Sequence, residues 1–271
     1  MKAEFGPVKL EITEADYEAI QKVSKVGIFQ ILSDQFGYWR QLNLIRVSEK
    51  FKIKCERKGI NSKQVSPKFL AQFIEAASLD EDADIQDMWA GLLAEEAQSP
   101  GTISLRTISV LKTLSKDEAN MFQSLYSKAV RIGENVAIYN DRSDDKETIE
   151  DIIRLVDCGL IVSESTSITY NMSIPPKLDC MISQSPMNQY AIIALNQTEE
   201  DQKCAIPVFT LTRAGQDILE ATFSDNEQDS YFSIAKEIKL KNTALEVKLF
   251  KVEDRDKATG ALKLSQDDLL Q

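Results

Sequence analysis

Residues 83 to 98, ADIQDMWAGLLAEEAQ, constrain the fold more than any other stretch of this chain. Ile85, Met88, Trp89, Leu92 and Leu93 recur at i, i+3, i+4, i+7 and i+8, which sets one apolar stripe along a helix. Glu96 follows Leu93 by three residues and Leu92 by four. At about 100° per residue its carboxylate projects from the middle of that stripe. A charge aimed at a core needs a partner. SPG at 99–101 stops the helix and turns the chain. ISLRTISVLKTL then predicts a second helix, with Ile103, Ile108, Leu111 and Leu114 inward, folded back against the first. Arg106 falls close to the turn. The expected partner of Glu96 is therefore Arg106, since a guanidinium matches a carboxylate bidentately. Trp89 as a core residue and Pro100 and Gly101 as the turn complete this structural set.

The length of 271 residues predicts two domains. The first half reads helical. Thr13 with Asp16 predicts a helix start, followed by Ile20, Val23, Val26 and Ile31, and Gly37 predicts a break or bend. A second helix carries Trp39, Leu42, Ile45 and Phe51 and ends in the basic KFKIKCERKG, a solvated helix end. Ser66 as N-cap with Pro67 at the first helical position starts another helix, and the acidic SLDEDAD caps the one after it. Ser115 and Glu118 form a capping box. Beyond the polar loop NDRSDDKE, at 140–147, the pattern changes. ETIEDIIRLVDCGLI predicts a helix stopped at Gly159, LIVSESTSITYNM two short strands around a polar turn, and QYAIIAL and IPVFTL further strands. A helix begins at Thr212, YFSIAKEIK is helical, and ALEVKLFKV is a strand. The expected fold class is α+β, predominantly α. A helical domain covers 1–130, a winged-helix-like α/β domain covers 131–252, and a polar, mobile tail covers 253–271.

Composition narrows the chemistry. The chain has no histidine, which removes Ser-His-Asp and Cys-His machinery and histidine-ligated metals. Cysteines at 55, 158, 180 and 204 lack CxxC spacing, so no metal or disulfide framework is expected, and no cofactor. No apolar run is long enough to span a bilayer. The start, MKAEFGPVKLEITEADYEAI, lacks the basic end and apolar stretch of a signal peptide, and a cytoplasmic protein is expected. A net charge of −11 opposes broad binding to nucleic acid.

DIQDMWAGLLAEEAQSPGTISLRTISVLKTL, residues 84–114, resembles a bacterial family of unknown function, domain-of-unknown-function family 2806. Its members carry Q-x-MWA-x-LLA-x-E followed by PG-x-x-S-x-RT. Gln86, Met88, Trp89, Ala90, Leu92, Leu93, Ala94 and Glu96 fit the first part, and Pro100, Gly101, Ser104, Arg106 and Thr107 the second. RQLNLIRVSEK and VSPKFLAQFIEAASLDED extend the likeness over about residues 39–130. The tryptophan helix is also similar to that of the abortive-infection alpha group, which implies a place in antiphage defence. In the second half, DCGLI, IVSESTSITY and FTLTRAGQDIL together resemble a winged helix. Its candidate reading helix, 147–158, carries Glu147, Glu150, Asp151 and Asp157 against Arg154, the wrong sign for phosphate.

Three functions follow as expectations. The first is a non-enzymatic interaction or regulatory protein whose partner is another protein or a second copy of itself. The second is a winged-helix DNA-binding protein using Lys236, Lys239, Lys241, Lys248 and Lys251, residues that equally suit edge-strand protection. The third is a carboxylate-metal hydrolase built on Asp84, Asp87 and Glu95, residues that equally suit a solvated acidic face.

Overall fold

The computed structural model describes residues 2–5, 8–11, 27–141, 146–163, 168–185, 189–222, 228–255 and 261–270. They form two compact units, Met1–Ala119 and Asn120–Gln271. The fold is mixed α+β.

The first unit opens with a hairpin that the sequence reading did not anticipate. β1 (Lys2–Phe5) and β2 (Val8–Glu11) pair antiparallel, with Ala3 opposite Leu10. The expected helix start at Thr13 and Asp16, with Ile20, Val23 and Val26, lies outside the described residues. α1 (Gly27–Lys58) is one 32-residue helix that runs through Gly37. The expected break there does not occur. A glycine costs a helix interior only about 1 kcal/mol, which the flanking turns outweigh. α2 (Pro67–Ala77) starts as predicted: Ser66 Oγ accepts the Phe69 N–H, and Pro67 sits at the first turn. α3 (Ala83–Gln98) is capped by Asp82, whose side chain accepts from the N–H groups of Asp84 and Ile85. α4 (Leu105–Thr113) follows the turn, and α5 (Lys116–Ser124) begins at the Ser115–Glu118 capping box. α1 packs along α3, and α4 packs against α2. The expected fold-back of α4 onto α3 thus gives way to packing on α2, because the buried Phe69 and Phe73 of α2 offer α4 an apolar wall.

The second unit is an eight-stranded antiparallel sheet with helices. Its strands are β3 (Ala129–Ile132), β4 (Asn135–Tyr139), β5 (Ile168–Ile174), β6 (Asp179–Gln184), β7 (Tyr190–Leu195), β8 (Gln202–Thr210), β9 (Glu246–Arg255) and β10 (Leu262–Leu264). They lie in the order β10-β9-β7-β6-β3-β4-β8-β5. α6 (Lys146–Asp157), α7 (Arg213–Thr222) and α8 (Gln228–Lys241) complete the unit. α8 presents Tyr231, Ile234, Ala235 and Ile238 at helical spacing to the sheet. Every strand from β3 to β9 sends side chains into the same core, those of β8 being Cys204, Ile206 and Val208 at the period of two.

Two expectations fail here. The described residues of IVSESTSITY pair elsewhere: Ile161 bridges Leu211, and β5 pairs over its whole length with β8, Ile168 opposite Val208 and Ile174 opposite Gln202. Strand partners are chosen by which apolar faces share a core, and the face of β5 that carries Tyr170, Met172 and Ile174 belongs with that of β8. The described residues of the tail from Glu253 are held in place. Residues to Arg255 continue β9, β10 pairs with β9, and the Leu269 N–H donates to the Leu249 carbonyl.

Candidate functional site

Among the described residues of the first unit, the buried side chains of Gln86 and Glu96 hold turns. Glu96 is 1% exposed. Its Oε1 accepts the Gly101 N–H at 2.7 Å and its Oε2 accepts the Ile103 N–H at 3.0 Å. Gly101 has φ +90, a conformation that glycine alone adopts without strain, and that places its N–H over the carboxylate. Arg106 is exposed and makes no ion pair among the described residues. The expected Glu96–Arg106 pair does not form. Two orphan N–H groups of a tight turn satisfy the carboxylate without a guanidinium, and α4 projects Arg106 outward. Pro100 sits exposed at the turn.

Trp89 is fully buried, its ring edge-on to Phe73 at 5.4 Å between centroids, and its Nε1 donates to Asp80 Oδ2. Gln86 Nε2 donates to the Asp80 carbonyl, and Asn43 Nδ2 to that of Ser78. Burial pushes the Asp80 carboxyl above its ordinary range, and the Trp89 hydrogen bond opposes that shift. Sequence reading missed this latch because Gln86 and Asp80 have no periodic signature. Asp87 pairs with Lys54 at 2.8 Å and Glu95 with Lys58 at 2.7 Å, which join α3 to α1, while Asp84 is exposed at the start of α3. Among the described residues no group of acids or cysteines is arranged to hold a metal ion.

In the second unit, α6 is placed by its C-terminal end. Gly159, at φ +76, closes it: the Gly159 N–H reaches the Val156 carbonyl, and the Leu160 N–H reaches that of Leu155. Thr212 then ties DCGLI to LTRAG. Its hydroxyl donates to the Gly159 carbonyl at 2.6 Å and accepts the Gly215 N–H, and its own N–H donates to the Leu160 carbonyl. A Cβ on Gly215 would lie 2.2 Å from that carbonyl oxygen, so only glycine fits. With Ile152 and Leu155 turned inward, the flank of α6 beside them carries Ile149 at 50% and Ile153 at 55% exposure, one turn apart. Glu150, Arg154 and Asp157 are exposed beside them. The isoleucines were legible as apolar residues but not as outward ones, because Ile149, Ile152, Ile153 and Val156 read as one stripe. Glu147 lies among residues whose side chains are not described.

The lysines weighed as nucleic-acid contacts do not form one cluster of free cations. Lys236 lies over the Phe232 ring, Lys241 over Tyr139, and Lys248 pairs with Glu246 at 2.9 Å. Lys239 and Lys251 are exposed. On β9 the side chains of Lys248 and Lys251, three residues apart, project from opposite faces of the strand. Burial pushes the Cys204 thiol up to about 11, leaving it a core residue and not a nucleophile.

These features define a mixed α+β protein in which buried polar groups fasten turns and one outward helix face combines apolar and acidic side chains. Residues 34–141 match the model of the family described as Protein of unknown function (DUF2806). The match encloses the 39–130 likeness and runs beyond Ala119 to Asp141, just past β4. No curated protein matches the chain, and no solved structure does. Among the described residues no helix is long and apolar enough to cross a membrane.

Proposed function

We propose that this chain is a non-enzymatic interaction or regulatory protein, and that the outward face of α6 carries a contact with another protein. The observation behind this reading is the exposed pair Ile149 and Ile153, bordered on one side by Glu150, Arg154 and Asp157. Single exposed apolar residues are ordinary, whereas adjacent ones within a polar rim are characteristic of protein contacts. The acidic frame repels phosphate and suits a basic or amphipathic protein surface. Affinity capture from host extract tests it, with the wild-type chain and an Ile149→Lys/Ile153→Lys variant as baits. The expected result is a protein retained by the first and lost by the second, at equal melting temperature. Equal recovery by both removes α6 as the contact. The proposed setting is the cytoplasm and abortive-infection defence, on the likeness of the tryptophan helix; phage plating with and without expression tests that.

A winged-helix DNA-binding reading stands second. It draws on α6 lying in sequence between β4 and β5, and on the antiparallel β5–β8 pair as a two-stranded wing. It predicts a gel shift with duplex DNA at low salt that weakens steeply as salt rises. No shift at low salt ends it.

A further inference from the structure

The two edges of the eight-stranded sheet are unlike. β10 has three residues, a register shift between Lys263 and Leu264, and Lys263 paired with Glu253 at 3.1 Å. Short length, irregularity and lysine are the means by which sheets guard an edge against pairing. β5, at the other edge, has none of them. ITYNMSI is seven residues long, contains no charge and no proline, and keeps unbroken register with β8. Among the described residues, no strand pairs with its far side. Ile168 stands 42% exposed at its start.

We propose that β5 is a self-association edge, at which β5 of a second copy of this chain adds antiparallel about a two-fold axis through Asn171. The strand is complementary to itself in that register. Ile168 of each copy would face Ile174 of the other, Thr169 would face Ser173, Tyr170 would face Met172, and Asn171 would face Asn171. These are β-branched, hydroxyl, sulfur–aromatic and amide pairs, each favourable across strands. A C2 interface requires such a self-matching patch. The overall charge of −11 makes two copies repel, and an uncharged strand places the contact where that repulsion is least. The pairing extends the sheet across the axis and covers Ile168. It uses neither Ile149 nor Ile153, so it stands or falls apart from the α6 reading.

Light scattering on the full chain over a concentration series tests it. The mass is expected to double with concentration, more readily at high salt, and the Ile149→Lys/Ile153→Lys variant should behave likewise. Asn171→Lys sets two cations against each other at the axis and should hold the chain monomeric at an unchanged melting temperature. Asn171→Cys should cross-link on mild oxidation, since facing residues of an antiparallel pair lie within disulfide reach, whereas Lys263→Cys at the guarded edge should not. A mass that stays monomeric throughout, with Asn171→Cys cross-linking no more than wild type, overturns the proposal. So does an Asn171→Lys chain that still dimerises.

Discussion

Two backbone N–H groups, those of Gly101 and Ile103, end on the buried carboxylate of Glu96. Glu96→Ala removes the acceptor from both, and the cost should be about 2–4 kcal/mol, read as a shift in urea midpoint. Glu96→Gln keeps one acceptor oxygen and should lose about half as much. Arg106→Ala should change stability by less than about 0.5 kcal/mol, as for other exposed side chains. Asp80 gives a pH test. Burial raises its folded-state pKa above the unfolded value near 3.8, so the folded state holds the proton more tightly. Its contribution to stability is therefore greatest below that value and is lost as pH rises through the raised pKa. Asp80→Asn keeps an acceptor for Trp89 and should flatten that loss when midpoints are compared across acidic pH.

At the scale of elements, glycines separate tolerance from necessity. Gly37 lies inside α1 with open space where a Cβ would be, and Gly37→Ala should raise stability by up to about 1 kcal/mol. Gly215 in α7 faces the Leu160 carbonyl, and Gly215→Ala should lower stability by about 1–3 kcal/mol, because backbone on both sides must move. Thermal melting of the two variants, with opposite signs expected, checks both. Helices carried their own signals: the N-cap at Ser66, the capping box at Ser115, the stop at Gly159 and the Thr212 start were legible because a cap joins residues within one turn. Strands were not. β5 was read as half of a local hairpin, yet its partner β8 lies some thirty residues on in the chain, at a distance that no short-range pattern encodes.

For the whole molecule, Asp268, Leu269 and Leu270 fasten onto the second unit. Leu269 and Leu270 pack against it, and Asp268 Oδ1 accepts the N–H groups of Leu249 and Leu270. Deleting residues 261–271 should lower stability by about 2–3 kcal/mol in urea, the loss of two partly buried leucines with their strand; an unchanged midpoint would mark them as free. A polar composition hid this role, since two leucines in a charged stretch give no period to read. By itself the sequence determined the helices, their caps, the apolar stripe of α3 and the burial of Glu96 and Trp89, because all of these depend on neighbours within a turn or two. Only the tertiary structure decided that backbone N–H groups of the turn, and not Arg106, satisfy Glu96. It alone also set α4 against α2, packed α8 into one core with the strands from β3 to β9, and left Ile149 and Ile153 outside. Each of those outcomes rests on which surfaces meet after the chain has folded, and that geometry is distributed over residues too far apart in sequence to form a local signal.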